Sequence, residues 1–299
     1  MKQFHGVAPP VATPFRGEEL AEDWLAENLV RYSATGLSGV VVLGSNGEAV
    51  HLSKEEKLRV IEIARENLAQ HMWLMVGAGE ATTHATVKMA KDAGSIGADA
   101  VLVAPPFYYK ESMKTQVLQE HYKTVADESP IPVFLYNVPQ FTGLNMEPSL
   151  VAALAEHPNI KGIKDSSGNI SQLTEILRCS PEGFSVFVGS ALVFLPALSI
   201  GAHGGILAAA NVLPGPFVEL REKFLKGQLE QARKLQWSLM AISRAVTGGY
   251  GIGGLKAAMD IVGYRGGDPR LPLKRPGMDG ITHLRELLRP WLEAQEKKL

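Results

Sequence analysis

Eight short apolar runs, separated by longer amphipathic segments, predict an α/β fold: a (β/α)8 TIM barrel with a C-terminal helical extension. Three observations carry this prediction. The runs alternate with helical patterns, as parallel strands joined by crossovers do. The length of 299 residues suits eight strand–helix units plus an addition. Polar residues gather just after the runs, where the strands of such a barrel end.

The first run is Gly6 to Ala12 and the second Gly39 to Leu43, which leads into Gly44-Ser45-Asn46-Gly47-Glu48. A helix start follows at Leu52-Ser53-Lys54-Glu55-Glu56. Ser53 is a natural N-cap and Glu56 completes a capping box. Leu58, Ile61, Ile63, Ala64 and Leu68 then fall at helical spacing. The third run is Trp73 to Gly77. The fourth, Ala100 to Val103, leads into Pro105-Pro106-Phe107-Tyr108-Tyr109 and a helical pattern from about Met113 to Ala126. Pro132 to Tyr136, Ile160 to Lys164, Ser185 to Val188 and His203 to Leu207 complete the eight. Three further helical patterns lie near Leu229 to Val246, Gly254 to Val262 and Asp279 to Gln295. Residues 1–225 are therefore expected to form the barrel. Residues 226–299 are expected to pack on it, since no linker rich in Ser, Pro or Gly separates them.

A formal net charge of −1 argues against a nucleic-acid partner, which needs a basic field. The one cysteine, Cys179, excludes an intramolecular disulfide and a cysteine-rich zinc site. The start of the chain carries no signal-peptide core, and a cytoplasmic setting is expected. From Ser185 to Val218 there is no Asp, Glu, Lys or Arg, which imitates a membrane span. Gly189, Pro196, Gly201, Gly204, Gly205 and Pro214 cut it into pieces too short to cross. The expectation is strand, helix, strand inside a parallel fold, with no membrane partner.

Lys164 is the most informative residue. It ends the sixth run, in Ile160-Lys161-Gly162-Ile163-Lys164-Asp165-Ser166, where a buried strand emerges into a loop. Burial disfavours ammonium, and a neutral amine attacks a ketone to form a Schiff base. An ordinary salt-bridged lysine is the plainer reading. Gly44-Ser45-Asn46-Gly47 is either a tight turn or a backbone nest with a hydroxyl that holds a carboxylate. Tyr136 is either a core tyrosine or a proton relay. Tyr108 and Tyr109 read as core or interface aromatics. Ser166, Gly189 and Gly204-Gly205-Ile206 stand at the ends of runs six to eight, with Asn211 beyond. No Lys, Arg, Ser or Thr flanks the glycine pair, against a phosphate site. No His-x-x-x-His pair or acidic cluster gives metal-ligand spacing, and no Gly-x-Ser-x-Gly elbow appears.

Taken together these residues resemble the dihydrodipicolinate synthase and N-acetylneuraminate lyase family of Schiff-base aldolases. The resemblance runs from Pro9-Pro10-Val11-Ala12-Thr13-Pro14-Phe15 to Gly254-Leu255-Lys256 and beyond. It implies that Lys164 forms the imine with a 2-oxo acid and that Tyr136 relays protons. It implies that Ser45 and Asn46 bind the carboxylate, and that the backbone of Ile206 faces the substrate. Tyr108 matches a tyrosine that enters the neighbouring subunit's site, in a homotetramer built as a dimer of dimers. No metal and no cofactor is implied. Synthases of the family carry Thr-Thr at Ser45-Asn46, and an arginine at Phe141 that binds aspartate semialdehyde. Phenylalanine makes no such bidentate pair. Within the family, Gly44-Ser45-Asn46-Gly47-Glu48, Ser129-Pro130-Ile131-Pro132-Val133, His157-Pro158-Asn159-Ile160 and Tyr250-Gly251-Ile252 look most like the 4-hydroxy-2-oxoglutarate aldolase branch.

The expected activity is cleavage of 4-hydroxy-2-oxoglutarate to pyruvate and glyoxylate. The alternatives are 4-hydroxy-tetrahydrodipicolinate synthase, a deoxy-sugar-acid aldolase or dehydratase, and a non-catalytic 2-oxo acid sensor. A sensor has no need of both Lys164 and Tyr136.

Overall fold

The computed structural model describes residues 2–296. Met1 and residues 297–299, the ends of the two expected segments, lie outside the described residues. Eight parallel strands form one sheet: β1 Gly6–Ala8, β2 Gly39–Val42, β3 Trp73–Gly77, β4 Ala100–Val103, β5 Val133–Asn137, β6 Ile160–Asp165, β7 Ser185–Val188 and β8 Gly204–Ile206. The hydrogen-bonded order is β1-β8-β7-β6-β5-β4-β3-β2. The circle closes between β1 and β2, where Ser38 N donates to Val7 O at 3.0 Å and Val41 N to Pro9 O at 3.0 Å. Val11 N returns a bond to Val41 O at 2.8 Å. The first strand is thus shorter than the apolar run to Ala12. Pro9 and Pro10 have no N–H to give to a ladder, so the chain runs beside β2 with one bridge, Pro10 to Val41.

The crossover helices are α1 Glu22–Ser33, α2 Lys54–Asn67, α3 Thr83–Ile96, α4 Thr115–Glu128, α5 Pro148–Ala155, α6 Ile170–Cys179, α7 Phe194–Ser199 and α8 Pro214–Leu225. The capping box at Ser53 and Glu56 is formed. Helix α4 starts two residues later than the pattern from Met113 predicts, with Lys114 as its N-cap. The uncharged stretch is strand β7, short helix α7 and strand β8, and among the described residues no helix is long and apolar enough to cross a membrane.

Three helices follow: α9 Leu229–Arg244, α10 Gly251–Ile261 and α11 Met278–Glu296. Between α9 and α10 the helix widens into a π turn, Ala245–Gly249, which packs against the turn Ala208–Asn211 after β8. The extension therefore reaches the end of the barrel where the strands finish.

Two apolar cores result. The larger lies between strands and helices. The smaller fills the barrel and includes Ala8, Trp73, Phe134, Tyr136, Phe187 and Ile206, with Phe4 packed against it. Phe4 meets Phe134 at 4.9 Å and Trp73 at 5.8 Å between ring centroids. Gly162 makes room for this packing, because a Cβ there would stand 2.3 Å from both the Phe134 ring and the Ser185 carbonyl.

Candidate active site

Lys164 and Tyr136 are register partners on β6 and β5, and Lys164 is also paired with Phe187 on β7. Register partners on parallel strands present their side chains to one face. Tyr136 and Phe187 belong to the barrel interior, so Lys164 points inward as well. It is 3% exposed, and its Nζ lies 4.3 Å from the centre of the Tyr136 ring. The plainer reading, an ordinary salt-bridged lysine, does not describe it: the salt bridges among the described residues give it no carboxylate.

Burial pushes the Tyr136 phenol up. The positive charge of Lys164 and hydrogen bonds with Ser45, Lys164 and Ser166 outweigh that and hold it below its ordinary 10.0. The Ser45 hydroxyl stands 3.4 Å from the Tyr136 hydroxyl. Strands β2, β5 and β6 thus bring Ser45, Tyr136, Lys164 and Ser166 together, as the sequence predicts. A phenol flanked by an amine and two hydroxyls can accept and return a proton.

Ser45 and Asn46 lie on a single 3-10 turn, Ser45–Gly47, both half-buried. Left-handed non-glycine residues bracket it, Leu43 at φ 57° and Glu48 at φ 53°. Each such residue costs about 1–3 kcal/mol and persists only where its surroundings hold it. Thr13 Oγ1 donates to the Gly47 carbonyl at 2.7 Å.

Gly189 sits directly on Ser166, where a Cβ would fall 1.9 Å from the Ser166 hydroxyl. Its amide donates to the Asp165 carbonyl at 2.6 Å, and the Ser166 amide to the Asn137 carbonyl at 2.8 Å. Ile206 is buried in the interior opposite Ala8. Asn211 is a structural group: its amide donates to the carbonyls of Pro10 and Ala208, and its Oδ1 accepts from Ala12 N. Tyr108 stands apart. It is 80% exposed and packs edge-on against Tyr109 at 5.0 Å, so a single chain does not bring it to Lys164. Phe141 is 58% exposed, on the short helical turn Pro139–Thr142 after β5.

Sequence reasoning missed three features. Asp165 is buried next to Lys164, yet it serves the outer side of the strand. It accepts from Asn137 Nδ2 at 3.0 Å, Gln172 Nε2 at 2.8 Å and Ser167 N at 2.8 Å. Strand alternation after the inward Lys164 was the available signal. Lys110 lies along Gly143, its Nζ 3.7 Å from where a Cβ would be, two residues from Phe141. The third is a buried pair between Glu48 and Lys256, at 2.6 Å, for which spacing gives no signal.

A closed eight-strand barrel with a buried lysine and a phenol at its mouth defines a class of Schiff-base carbon–carbon lyases. The Dihydrodipicolinate synthetase family matches residues 3–289, and the chain belongs to it. Members are lysine-dependent class I aldolases and lyases, and this chain is an enzyme of that kind. It is 36% identical over 289 residues to the 4-hydroxy-tetrahydrodipicolinate synthase of Methanospirillum hungatei, covering 95% of this chain and 98% of that one. The dihydrodipicolinate synthase structure from Bacillus anthracis superposes with a TM-score of 0.93 at 28% identity, covering 97% and 99% of the two chains. That from Aquifex aeolicus gives 0.90 at 32%, covering 96% and 98%. The relatives' names match the synthase alternative rather than the 4-hydroxy-2-oxoglutarate reading.

Proposed function

We propose that Lys164 attacks the ketone of a 2-oxo acid and carries it as a protonated imine. Tyr136 relays one proton from the attacking amine to the ketone oxygen and then gives up its own phenolic proton, so that the oxygen leaves as water and Tyr136 is left as the phenolate. With a 4-hydroxy-2-oxo acid bound, Tyr136 then removes the 4-hydroxyl proton, and the bond between the third and fourth carbons breaks. Its electrons enter the imine, giving an enamine and an aldehyde. Protonation and hydrolysis release pyruvate and free Lys164. Ser45 and Asn46 hold the 2-oxo acid's carboxylate, and Ser166, Gly189 and Ile206 line the same end of the barrel. One observation carries this reading: a buried amine in register with a phenol whose hydroxyl also meets Ser45.

The substrate that follows from Phe141 is 4-hydroxy-2-oxoglutarate, cleaved to pyruvate and glyoxylate. The resemblance places an arginine at this position in synthases, to hold the carboxylate of aspartate semialdehyde. Phe141 offers an exposed apolar ring. Lys110, whose Nζ lies 3.7 Å from where a Gly143 Cβ would stand, is a cation beside that turn, and it supplies a single charge rather than a planar fork. Tyr108 reaches a site only across a contact with a second copy, and a homotetramer follows from the resemblance.

A second reading is synthase activity, favoured by the 36% identity to named synthases over nearly the whole chain. A side-by-side kcat/KM for cleavage of 4-hydroxy-2-oxoglutarate and for condensation of pyruvate with aspartate semialdehyde separates them. A tenfold preference for condensation, about 1.4 kcal/mol of transition-state stabilisation, makes the second reading the right one.

A further inference from the structure

The turn that carries Ser45 and Asn46 ends on Glu48, whose left-handed backbone and fully buried side chain no simple turn requires. Glu48 Oε1 stands 2.6 Å from Lys256 Nζ on α10, and both side chains are 0% exposed. Glu48 Oε1 has no hydrogen-bonding partner besides this ammonium among the described residues. Glu48 Oε2 accepts from the Arg270 backbone amide at 3.0 Å and meets His51 Nδ1 at 3.2 Å. Lys256 Nζ also donates to the Asp268 carbonyl at 2.9 Å. The Phe15 ring lies beneath both cations, 4.4 Å from Lys256 Nζ and 4.4 Å from the Arg270 guanidinium.

Two charges removed from water are a weak source of stability, because desolvation offsets their attraction. Geometry is what such a pair supplies, and here it acts on a strained residue two positions from Asn46 and three from Ser45. On its other side the turn is tied at Gly47 by Thr13. We propose that the Glu48–Lys256 pair is a positioning device. It fixes the left-handed end of the turn so that Ser45 and Asn46 meet the 2-oxo acid's carboxylate in register. The C-terminal extension thereby becomes part of the substrate site. This rests on the role given above to Ser45 and Asn46.

The pair has a pH signature. Burial lowers the Lys256 pKa from 10.5 to about 8, against the raising pull of Glu48 and Asp268 and with the lowering push of Arg270. The charged and titratable groups around it are Glu48 and His51 from the turn, and Asp268 and Arg270 from the loop after α10. Glu56 of α2 stands behind Arg270. As pH rises through about 8 the ammonium is lost, and the turn loses its charged anchor. The effect on stability has the opposite sign. Between about 8 and 10.5 the unfolded chain binds this proton and the folded chain does not, so this group's contribution to stability rises with pH. Weaker substrate binding in that window is then not unfolding.

The test uses pyruvate as the probe and borohydride trapping as the readout. The pyruvate concentration for half-maximal trapping is measured at pH 7 and pH 9, with Tm, in the wild type, Lys256→Met and Glu48→Gln. Both variants are expected to need about tenfold more pyruvate at pH 7, a coupling of ordinary size for contacting residues, with the same final extent of trapping. Their increase from pH 7 to pH 9 is expected to be smaller than the wild type's, which removes the part due to Lys164 and Tyr136 themselves. Half-saturation within twofold of wild type at pH 7, or a Tm loss without any shift in half-saturation, overturns the proposal. So does an equal pH dependence in wild type and variants. If Lys256→Met fails to fold, Glu48→Gln, close in shape to the native side chain, gives the same comparison. Absence of trapping in the wild type sinks the Schiff-base reading and this proposal with it, a result distinct from trapping at unshifted concentrations.

Discussion

Tyr136 and Lys164 stand on adjacent parallel strands in direct register, with the amine nitrogen 4.3 Å from the centre of the phenol ring. The pairing is built into the sheet rather than into a loop, so it is held by the ladder on both sides. Below it the Phe134, Trp73 and Phe4 rings pack together, and Phe187 stands beside Lys164 in register. The pair therefore faces one way only, towards the mouth, where Ser45 and Ser166 complete the set of hydroxyls around the phenol.

Borohydride in the presence of pyruvate should add mass to one lysine, and peptide mapping should place it on Lys164. Lys256 is the other buried lysine among the described residues, but its amine is committed to Glu48 and the Asp268 carbonyl. Lys161, on the same strand, is exposed. An adduct on either would remove Lys164 from its assigned place.

Tyr136→Phe keeps the ring against Lys164 and deletes the hydroxyl. Loss of a proton relay lowers kcat by about 10²–10⁴-fold, with KM changing far less. Steady-state kinetics on the cleavage reaction check this. A variant with kcat within threefold of wild type would show that the protons travel by another route.

Gly162→Ala tests the packing beneath the site. The added methyl meets the Phe134 ring and the Ser185 backbone, both at 2.3 Å. Overpacking a filled core costs typically about 1–3 kcal/mol, and the backbone contact puts this change at the upper end. Urea unfolding should show it as a lower midpoint with an unchanged slope. A loss below about 0.5 kcal/mol would mean that β6 and β7 part easily.

The barrel was legible because strand and helix periods differ, and because each apolar run ends where polar residues begin. Lys164, Tyr136 and Ser45 were legible as strand-end residues for the same reason. Their approach to one another was not, since it depends on register between β5 and β6. Pro9 and Pro10 hid the end of β1, because hydropathy does not register a missing N–H. Glu48 and Lys256 are more than 200 residues apart in the chain, and nothing local marks either as buried. Lys110 carries no signal in the sequence, because its neighbour, Gly143, has no side chain to suggest a contact.

Tyr108 should matter only in an assembly. It is exposed in the single chain, with Phe107 and Tyr109 also exposed beside it. Sedimentation should show a homo-oligomer, and a tetramer is expected. Tyr108→Ala should lower activity without altering the folded chain's circular dichroism. A stable, fully active monomer would contradict the assignment of Tyr108 to a neighbour's site.

The proposed choice of aldehyde rests on Phe141 and Lys110. A carboxylate left without a charged partner is costly, and an arginine fork is the strongest single answer to it. Phe141 supplies none, while Lys110 crosses the same turn beside Gly143. Lys110→Met should therefore raise KM for 4-hydroxy-2-oxoglutarate by about tenfold, the size of one charge-assisted hydrogen bond. It should leave pyruvate trapping unchanged, since the proposal puts the pyruvate carboxylate at Ser45 and Asn46. Phe141→Arg should raise condensation of pyruvate with aspartate semialdehyde, since a fork now faces the second carboxylate. If the wild type already favours that condensation and Phe141→Arg adds nothing, the carboxylate is held elsewhere. The argument from residue 141 then fails, whatever the fate of Lys164.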